Sequence, residues 1–232
     1  MNLPSLGFLR NIKPGSNRQF AVIGLGRFGR AVCETLHKGG YDVLGTDVDE
    51  KRVAEILTSG MSAHAIQLDS TDCYALKESG IFEFDTVIVA IGNFLQESII
   101  TTLNLKEGGV PHVVAKASSD VHAKLLSRVG ADRVVLPEHE AGCALARALT
   151  RPGILDRFDL DADNSIVELH VPEAFNGKTI AELNLRSQYG LNILAMGKSP
   201  HFEINPGPNQ RLKQGDMLVV IGNNDAIERL PV

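Results

Sequence analysis

The residues with the clearest chemical purpose are Gly24-Leu25-Gly26-Arg27-Phe28-Gly29, a Gly-x-Gly-x-x-Gly spacing, and Asp47 further on. A loop of this kind holds an anion through its main chain. Gly24 allows a tight turn, Gly26 lets a phosphate approach the backbone, and Gly29 lets a helix pack close to a strand. Backbone N–H groups and the positive end of the helix dipole then face the anion. Asp47 follows about twenty residues later, where a carboxylate accepts both hydroxyls of an adenosine ribose and repels a 2′-phosphate, which argues against NADP. Asp49 either adds a second negative charge to this site or caps the helix that begins at Glu50. Arg27 and Arg30 either lean toward a terminal phosphate or sit as solvated helix charges.

The surrounding elements must position these groups. Phe20–Ile23 is a short apolar run that reads as a buried strand, and a helical pattern follows through Ala31, Val32, Leu36 and Lys38. Strands are expected at 41–46, 62–67, 85–92, 112–116 and 133–136, alternating with helices at 50–57, up to Gly80, from Gly92 and Asn93 to Leu105, at 119–129 and at 138–149. The run Asp85–Gly92 is nearly all apolar, as an interior parallel strand requires. This alternation predicts an α/β fold with a doubly wound parallel sheet. Right-handed crossovers put all the strand ends on one edge, so Gly24, Gly26, Asp47, Asp69, Gly92 and Lys116 are expected to line one crevice. Asp69-Ser70-Thr71-Asp72 falls where an adenine would lie, and Ser70, Thr71 or Asp72 serves equally well as a helix cap.

Four segments follow. Residues 1–18 carry Arg10, Lys13 and Arg18, no acid, and apolar residues interrupted by Pro4 and Pro14, which suits a flexible arm or a partner-docking segment. No signal-peptide core is present there. The nucleotide-binding domain is expected over 19–150, an acidic linker over 151–163, and a small α+β domain over 164–232 that dimerises. Apolar runs fall short of the ~18 residues that span a bilayer, so a membrane role requires a separate partner. A net charge of -5 and 5% aromatics with no Trp give no support to nucleic-acid binding. Cys33, Cys73 and Cys143 show no metal or disulfide spacing and read as reduced cytosolic thiols.

Two function classes compete. An NAD-dependent dehydrogenase needs a proton-transfer group beside the nicotinamide, with His112, Lys116 and His139 as candidates, none of them in a catalytic motif. A nucleotide sensor needs only the glycine loop, a basic group for terminal phosphates and a dimerising surface.

Phe20–Gly29 closely resembles the opening of the RCK (regulator of potassium conductance) subunits of Trk/Ktr-type potassium uptake systems. Asp85–Gly92, Val114–Ala117, Val129–Val134, Pro137-Glu138 and Leu183–Ala195 agree as well, so the resemblance runs over residues 19–230. It implies a Rossmann-like N lobe and a small C-terminal lobe in a cytosolic subunit that is not an enzyme. Homodimers would assemble into an octameric ring under a membrane subunit conducting potassium. ATP or ADP would bind the N lobe, and some members take NAD(H) instead. The implied contacts are Gly24, Gly26, Arg27, Phe28, Gly29, Asp47, Asp49, Asp69, Gly92, Asn93 and Lys116, with Arg27 on the γ-phosphate. Relatives often carry Asn where this chain has Asp49. Glu138 matches a position that binds a divalent cation or sodium between subunits, although a first-turn carboxylate also suits the helix dipole. Arg186 and Asn192 match positions that bind cyclic di-AMP in the second lobe of some relatives.

Overall fold

A computed structural model describes residues 18–151, 153–198 and 201–231. All of the expected N-terminal arm except Arg18 lies outside the described residues. The chain divides into two compact units between Ala141 and Gly142.

The first unit alternates strands and helices: β1 (Gln19–Ile23), α1 (Arg27–Lys38), β2 (Asp42–Asp47), α2 (Glu50–Thr58), β3 (His64–Gln67), α3 (Cys73–Glu78), β4 (Thr86–Val89), α4 (Leu95–Glu107), β5 (His112–Lys116), α5 (Asp120–Arg128) and β6 (Arg133–Val135). The helix α6 (Pro137–Thr150) follows, and the division between the units falls inside it. All six strands are parallel, in the order β3-β2-β1-β4-β5-β6. The doubly wound sheet expected from the alternation is therefore present. Its strand order reverses between β1 and β4, and such a switch point opens a crevice beyond the carboxyl ends of the strands.

Both faces of the sheet are covered, which is why the central strands are apolar throughout. Successive side chains point to opposite faces. Ala21, Ile23, Val87 and Val89 pack with Leu76, Leu105 and Leu126 of α3, α4 and α5. Val22 and Ile88 pack with Cys33, Val53 and Ile56 of α1 and α2. Each large side chain fully buried in these layers, such as Ile56 or Leu105, contributes about 1.5–3 kcal/mol.

Burial pushes the Cys33 thiol up to about 12. The thiolate is the nucleophile, so a maleimide at pH 8 is expected to modify exposed Cys73 while leaving Cys33 intact in the native protein. Mass spectrometry of the labelled peptides checks this, and equal rates at the two positions would show that α1 is not held against the sheet.

The second unit contains β7 (Ile154–Asp159), β8 (Asn164–His170), α7 (Ile180–Leu183), α8 (Leu185–Tyr189), β9 (Asn192–Lys198), β10 (His201–Ile204), β11 (Met217–Asn223) and α9 (Asn224–Glu228). Its sheet is antiparallel in the order β10-β9-β11-β8-β7, around a core of Val167, Leu169, Leu191, Leu212, Leu218 and Ile227. The segment 151–163, expected as a linker, contains β7, which pairs with β8. Asp156 is exposed on this edge strand, while Asp159, on its other face, is half-buried and accepts from Arg157 Nε at 2.6 Å. Asp161 lies beyond β7 and accepts from Asp163 N and Asn164 N at 2.8 Å each, in the turn to β8. Charges on an edge strand are a known protection against pairing with another chain. Among the described residues no helix is long and apolar enough to cross a membrane.

Candidate functional site

The glycine loop follows β1. Gly24 has φ 98°, a left-handed value that glycine adopts freely, and its N–H donates to the Thr46 carbonyl at 2.7 Å. A Cβ placed on Gly29 would lie 1.8 Å from the Gly24 oxygen, so only glycine lets α1 come this close to the turn. A Cβ on Gly26 would meet no atom within 4 Å, which leaves its backbone open to a ligand. The first-turn N–H groups of a helix have no partner within the helix. Asp49 accepts from Lys51 N to cap α2, Asp72 accepts from Tyr74 N to cap α3, and Ser119 accepts from His122 N to cap α5. The N-cap of α1 is Gly26, with no side-chain cap and no acid in the first turn. Its N–H groups are thus presented to an anion.

Asp47 is buried at the end of β2. Leu25 N donates to Asp47 Oδ2 at 2.7 Å and Asp49 N donates to Oδ1 at 2.9 Å, so one carboxylate ties the glycine loop to the next strand. Arg52 Nη1 donates to Oδ2 at 3.2 Å. Arg52 was not among the residues expected at the site. Its signal was present as an i,i+3 spacing from Asp49, which it also approaches at 3.8 Å.

A cleft of about 1200 Å³ opens where these elements meet. Of the expected contacts, Gly24, Gly26, Arg27, Phe28, Asp47, Asp69, Gly92, Asn93 and Lys116 line it, together with Glu138. Gly29 lies behind the loop as a packing residue, and Asp49 serves as the α2 cap outside the lining. The two arginines of the loop separate in role. Arg30 Nε donates to the Leu25 carbonyl at 2.9 Å and its guanidinium pairs with Glu55. Arg27 is exposed and makes no ion pair among the described residues.

Lys116 ends β5 with its Nζ 5.7 Å from the centre of the Phe28 ring. A Cβ on Gly92 would stand 3.0 Å from that Nζ, so the glycine makes room for the lysine. Lys116 Nζ donates to Glu138 Oε1 at 2.6 Å. That hydrogen bond holds the Glu138 carboxyl below the usual range, with its own backbone N–H next and the charges of Lys116 and Arg27 adding to it. Among the described residues no three His, Cys, Asp or Glu side chains come together as metal ligands. The carboxylate expected to hold a cation is engaged by a lysine, and a single chain does not build that site.

Charges of both signs line the cleft: Arg27 at the start of α1, Lys116 at the end of β5 with Glu138, and Asp47 with Arg52 and Asp69 at or beyond the ends of β2 and β3. Asp69 Oδ1 accepts from Thr71 N at 2.9 Å and from Thr71 Oγ1 at 2.7 Å. His112 and His139 do not line the cleft. His112 begins β5, at the opposite end of the strand from Lys116. In the second unit Arg186 on α8 and Asn192 at the start of β9 are both exposed, and Leu191 N donates to the Leu185 carbonyl between them.

Comparison with known proteins gives a consistent picture. A family model described as the TrkA-N domain matches residues 20–137, and one described as the TrkA-C domain matches residues 165–230. Ktr system potassium uptake protein C of Bacillus subtilis (strain 168) is 40% identical over 212 residues, 91% of this chain and 95% of that protein. Ktr system potassium uptake protein A of Vibrio alginolyticus is 35% identical over 211 residues, 91% of this chain and 95% of that one. A crystal structure of the GsuK RCK domain superposes with a TM-score of 0.65 at 18% identity, covering 94% of this chain and 47% of that longer one, and speaks to the fold alone. The GsuK channel bound to NAD gives a TM-score of 0.54 at 25% identity, covering 95% of this chain and 39% of that one. With both family models in sequence order and relatives matched almost end to end, this chain belongs to the RCK family of Ktr potassium-uptake proteins, built from a TrkA-N and a TrkA-C domain.

Proposed function

We propose that this chain is the nucleotide-sensing regulatory subunit of a Ktr-type potassium-uptake system. It works at the cytoplasmic face with a separate potassium-conducting membrane subunit, as homodimers assembled into an octameric ring. The observation that carries this reading is the set of groups that line the cleft. Asp47 stands at a ribose position, the uncapped N-terminus of α1 faces the diphosphate, and Arg27 and Lys116 supply cations for what lies beyond. ATP and ADP differ only at that cationic end, so the ligand's last phosphate is what the site is placed to count. Sensing then requires that the two ligands favour different arrangements of the assembly, because a ligand shifts an equilibrium only by its differential affinity. Lys116 is the remaining proton-transfer candidate at the cleft, and its Nζ is engaged by Glu138, which fits binding better than catalysis. Lys116 takes Oε1 of Glu138, so a cation would meet the carboxylate at Oε2. The second unit is proposed to take cyclic di-AMP, where the exposed Arg186 guanidinium and Asn192 amide suit a phosphate and a base.

Arg27→Ala tests the phosphate-counting reading. The expected result by calorimetry is about a tenfold loss of ATP affinity, one charge-assisted hydrogen bond, with ADP affinity nearly unchanged. Equal weakening of both ligands would remove Arg27 from the γ-phosphate. A second reading, NAD(H) in the same cleft, is favoured by the GsuK channel bound to NAD and by Asp47, which suits either adenosine ribose. Titration with NADH alongside ATP separates the two.

A further inference from the structure

The chain that leaves β5 carries Lys116 into the cleft, and its next two peptides are held from different sides. Ala117 N donates to the Val135 carbonyl of β6 at 2.8 Å. Ser118 N donates to Nδ1 of His122, in the first turn of α5, at 3.2 Å. Ser118 Oγ lies 3.3 Å from the same Nδ1. His122 N in turn donates to Ser119 Oγ, the α5 cap, at 3.2 Å. The pattern is that of a capping box, in which the third helical residue reaches back to a main-chain N–H at the helix start. Glu or Gln ordinarily fills that place. Here a histidine does, and it reaches one residue further back, to Ser118.

His122 is fully buried. A ring nitrogen accepts only when it carries no proton, so the bond from Ser118 leaves the ring's proton on Nε2. Nε2 has no hydrogen-bond partner among the described residues. A second proton on the ring would set Nδ1–H against the Ser118 N–H, donor against donor. α5 packs against α4 and β6. The charged side chains there are Glu97, Lys106 and Glu107 of α4 and Arg133 of β6, and α5 itself adds Asp120, Lys124 and Arg128. Lys106 is bonded to Asp132, and the others are exposed. None of them shifts the ring: burial alone holds it below the ordinary histidine range. The Lys116 side chain is largely buried beside Phe28 and Gly92, so the backbone at the end of β5 sets where its Nζ lies.

We propose that His122, as a neutral hydrogen-bond acceptor, is a positioning residue for Lys116: it fixes the loop that aims the lysine at the terminal phosphates of the nucleotide, and its protonation releases that loop. This rests on the nucleotide reading above and adds to it a residue outside the cleft lining. A carboxylate in the same place would hold the loop at any ordinary pH, whereas a histidine makes the hold conditional. The folded ring titrates below an unfolded histidine, about 6.5, so the hold is complete above about pH 6.5 and is lost as the pH falls through the lower folded value.

The test is ATP calorimetry on the full-length protein from about pH 7.5 down to about pH 5.5. His122→Leu fills the site without an acceptor and is expected to lose about tenfold in affinity at the upper pH, one charge-assisted hydrogen bond from Lys116. In a Lys116→Gln background the same substitution is expected to cost nothing further, because its effect passes through that lysine. His122→Asn places an amide oxygen where Nδ1 accepts, and it is expected to keep most of the affinity. Toward the lower pH the unaltered protein is expected to lose up to about tenfold more affinity than His122→Asn, while protonation of ATP itself affects both alike. Full affinity in His122→Leu, the same cost with and without Lys116, or parallel pH profiles for the unaltered protein and His122→Asn would each overturn the proposal and leave the nucleotide reading standing. Should His122→Leu fail to fold, the His122→Asn profile decides alone. No ATP binding by the unaltered protein would sink the nucleotide reading, and this proposal with it.

Discussion

Gly29→Ala is expected to remove nucleotide binding and to destabilise the first unit by about 3 kcal/mol, the upper range for overpacking a close-packed site. The added Cβ would stand 1.8 Å from the Gly24 oxygen and 3.0 Å from its carbonyl carbon. Both are backbone atoms, so no rotamer change relieves the clash. The Gly24–Leu25 peptide that carries this oxygen cannot simply turn away, because its N–H, that of Leu25, donates to Asp47 Oδ2 at 2.7 Å. Either α1 lifts off the sheet, opening the layer that buries Cys33 and Leu25, or the loop breaks its link to β2. Each outcome disperses the N–H groups that face the cleft. Urea denaturation and ATP titration of the same variant measure both effects. Gly26→Ala serves as the control for fold, since its Cβ meets nothing within 4 Å and its φ of -71° suits any residue. Wild-type stability and affinity in Gly29→Ala would show that the loop is looser than this packing implies.

Asp47→Ala is the second large effect, an expected loss of more than tenfold in affinity for adenine nucleotides. A hydrogen bond to a charged group is worth roughly 1.5–3 kcal/mol, and the ribose loses such an acceptor. The structure adds a second cost. Leu25 N and Asp49 N both donate to this carboxylate, and Leu25 is fully buried, so its N–H would be left without a partner inside the protein. Arg52 would lose its bond to Oδ2 and keep only its longer approach to Asp49 at 3.8 Å. NADP is the informative second ligand here. With the carboxylate gone and Arg52 retained, its 2′-phosphate is expected to be tolerated better than in the unaltered protein. Calorimetry with ATP and NADP reads both effects, and unchanged ATP affinity would dissociate Asp47 from the ribose.

Much of this site was legible before any fold was known, and particular residues show why. Gly24, Gly26 and Gly29 do their work through local backbone geometry, which spacing alone expresses. The apolar run through Val87, Ile88 and Val89 announces a strand covered on both faces. Asp49 was open between ligand and cap, because an acid before a helix suits both duties. Its Oδ1 accepts from Lys51 N, so the cap is the duty seen in the fold. The acids of 156–163 suggested a linker because charge was read without its strand register. Pairing with β8 puts Asp156 and Asp159 on β7, and Asp161 and Asp163 in the turn that follows it.

Alternation of apolar runs and helical periods therefore determined a parallel sheet, and the glycine spacing with Asp47 determined which edge of it holds an anion. These are consequences of local steric and hydrophobic preferences, which a linear sequence records directly. Tertiary structure alone decided which charges meet. It set Arg52 on Asp47, Lys116 on Glu138 and Arg30 on Glu55, left Arg27 facing the cleft, and kept His112 and His139 away from it. Those pairings depend on crossovers that bring distant strand ends together, and they form at the water-facing rim of the cleft, where Glu55 and Glu138 stay exposed. The crossover geometry is not written in the spacing of any one segment.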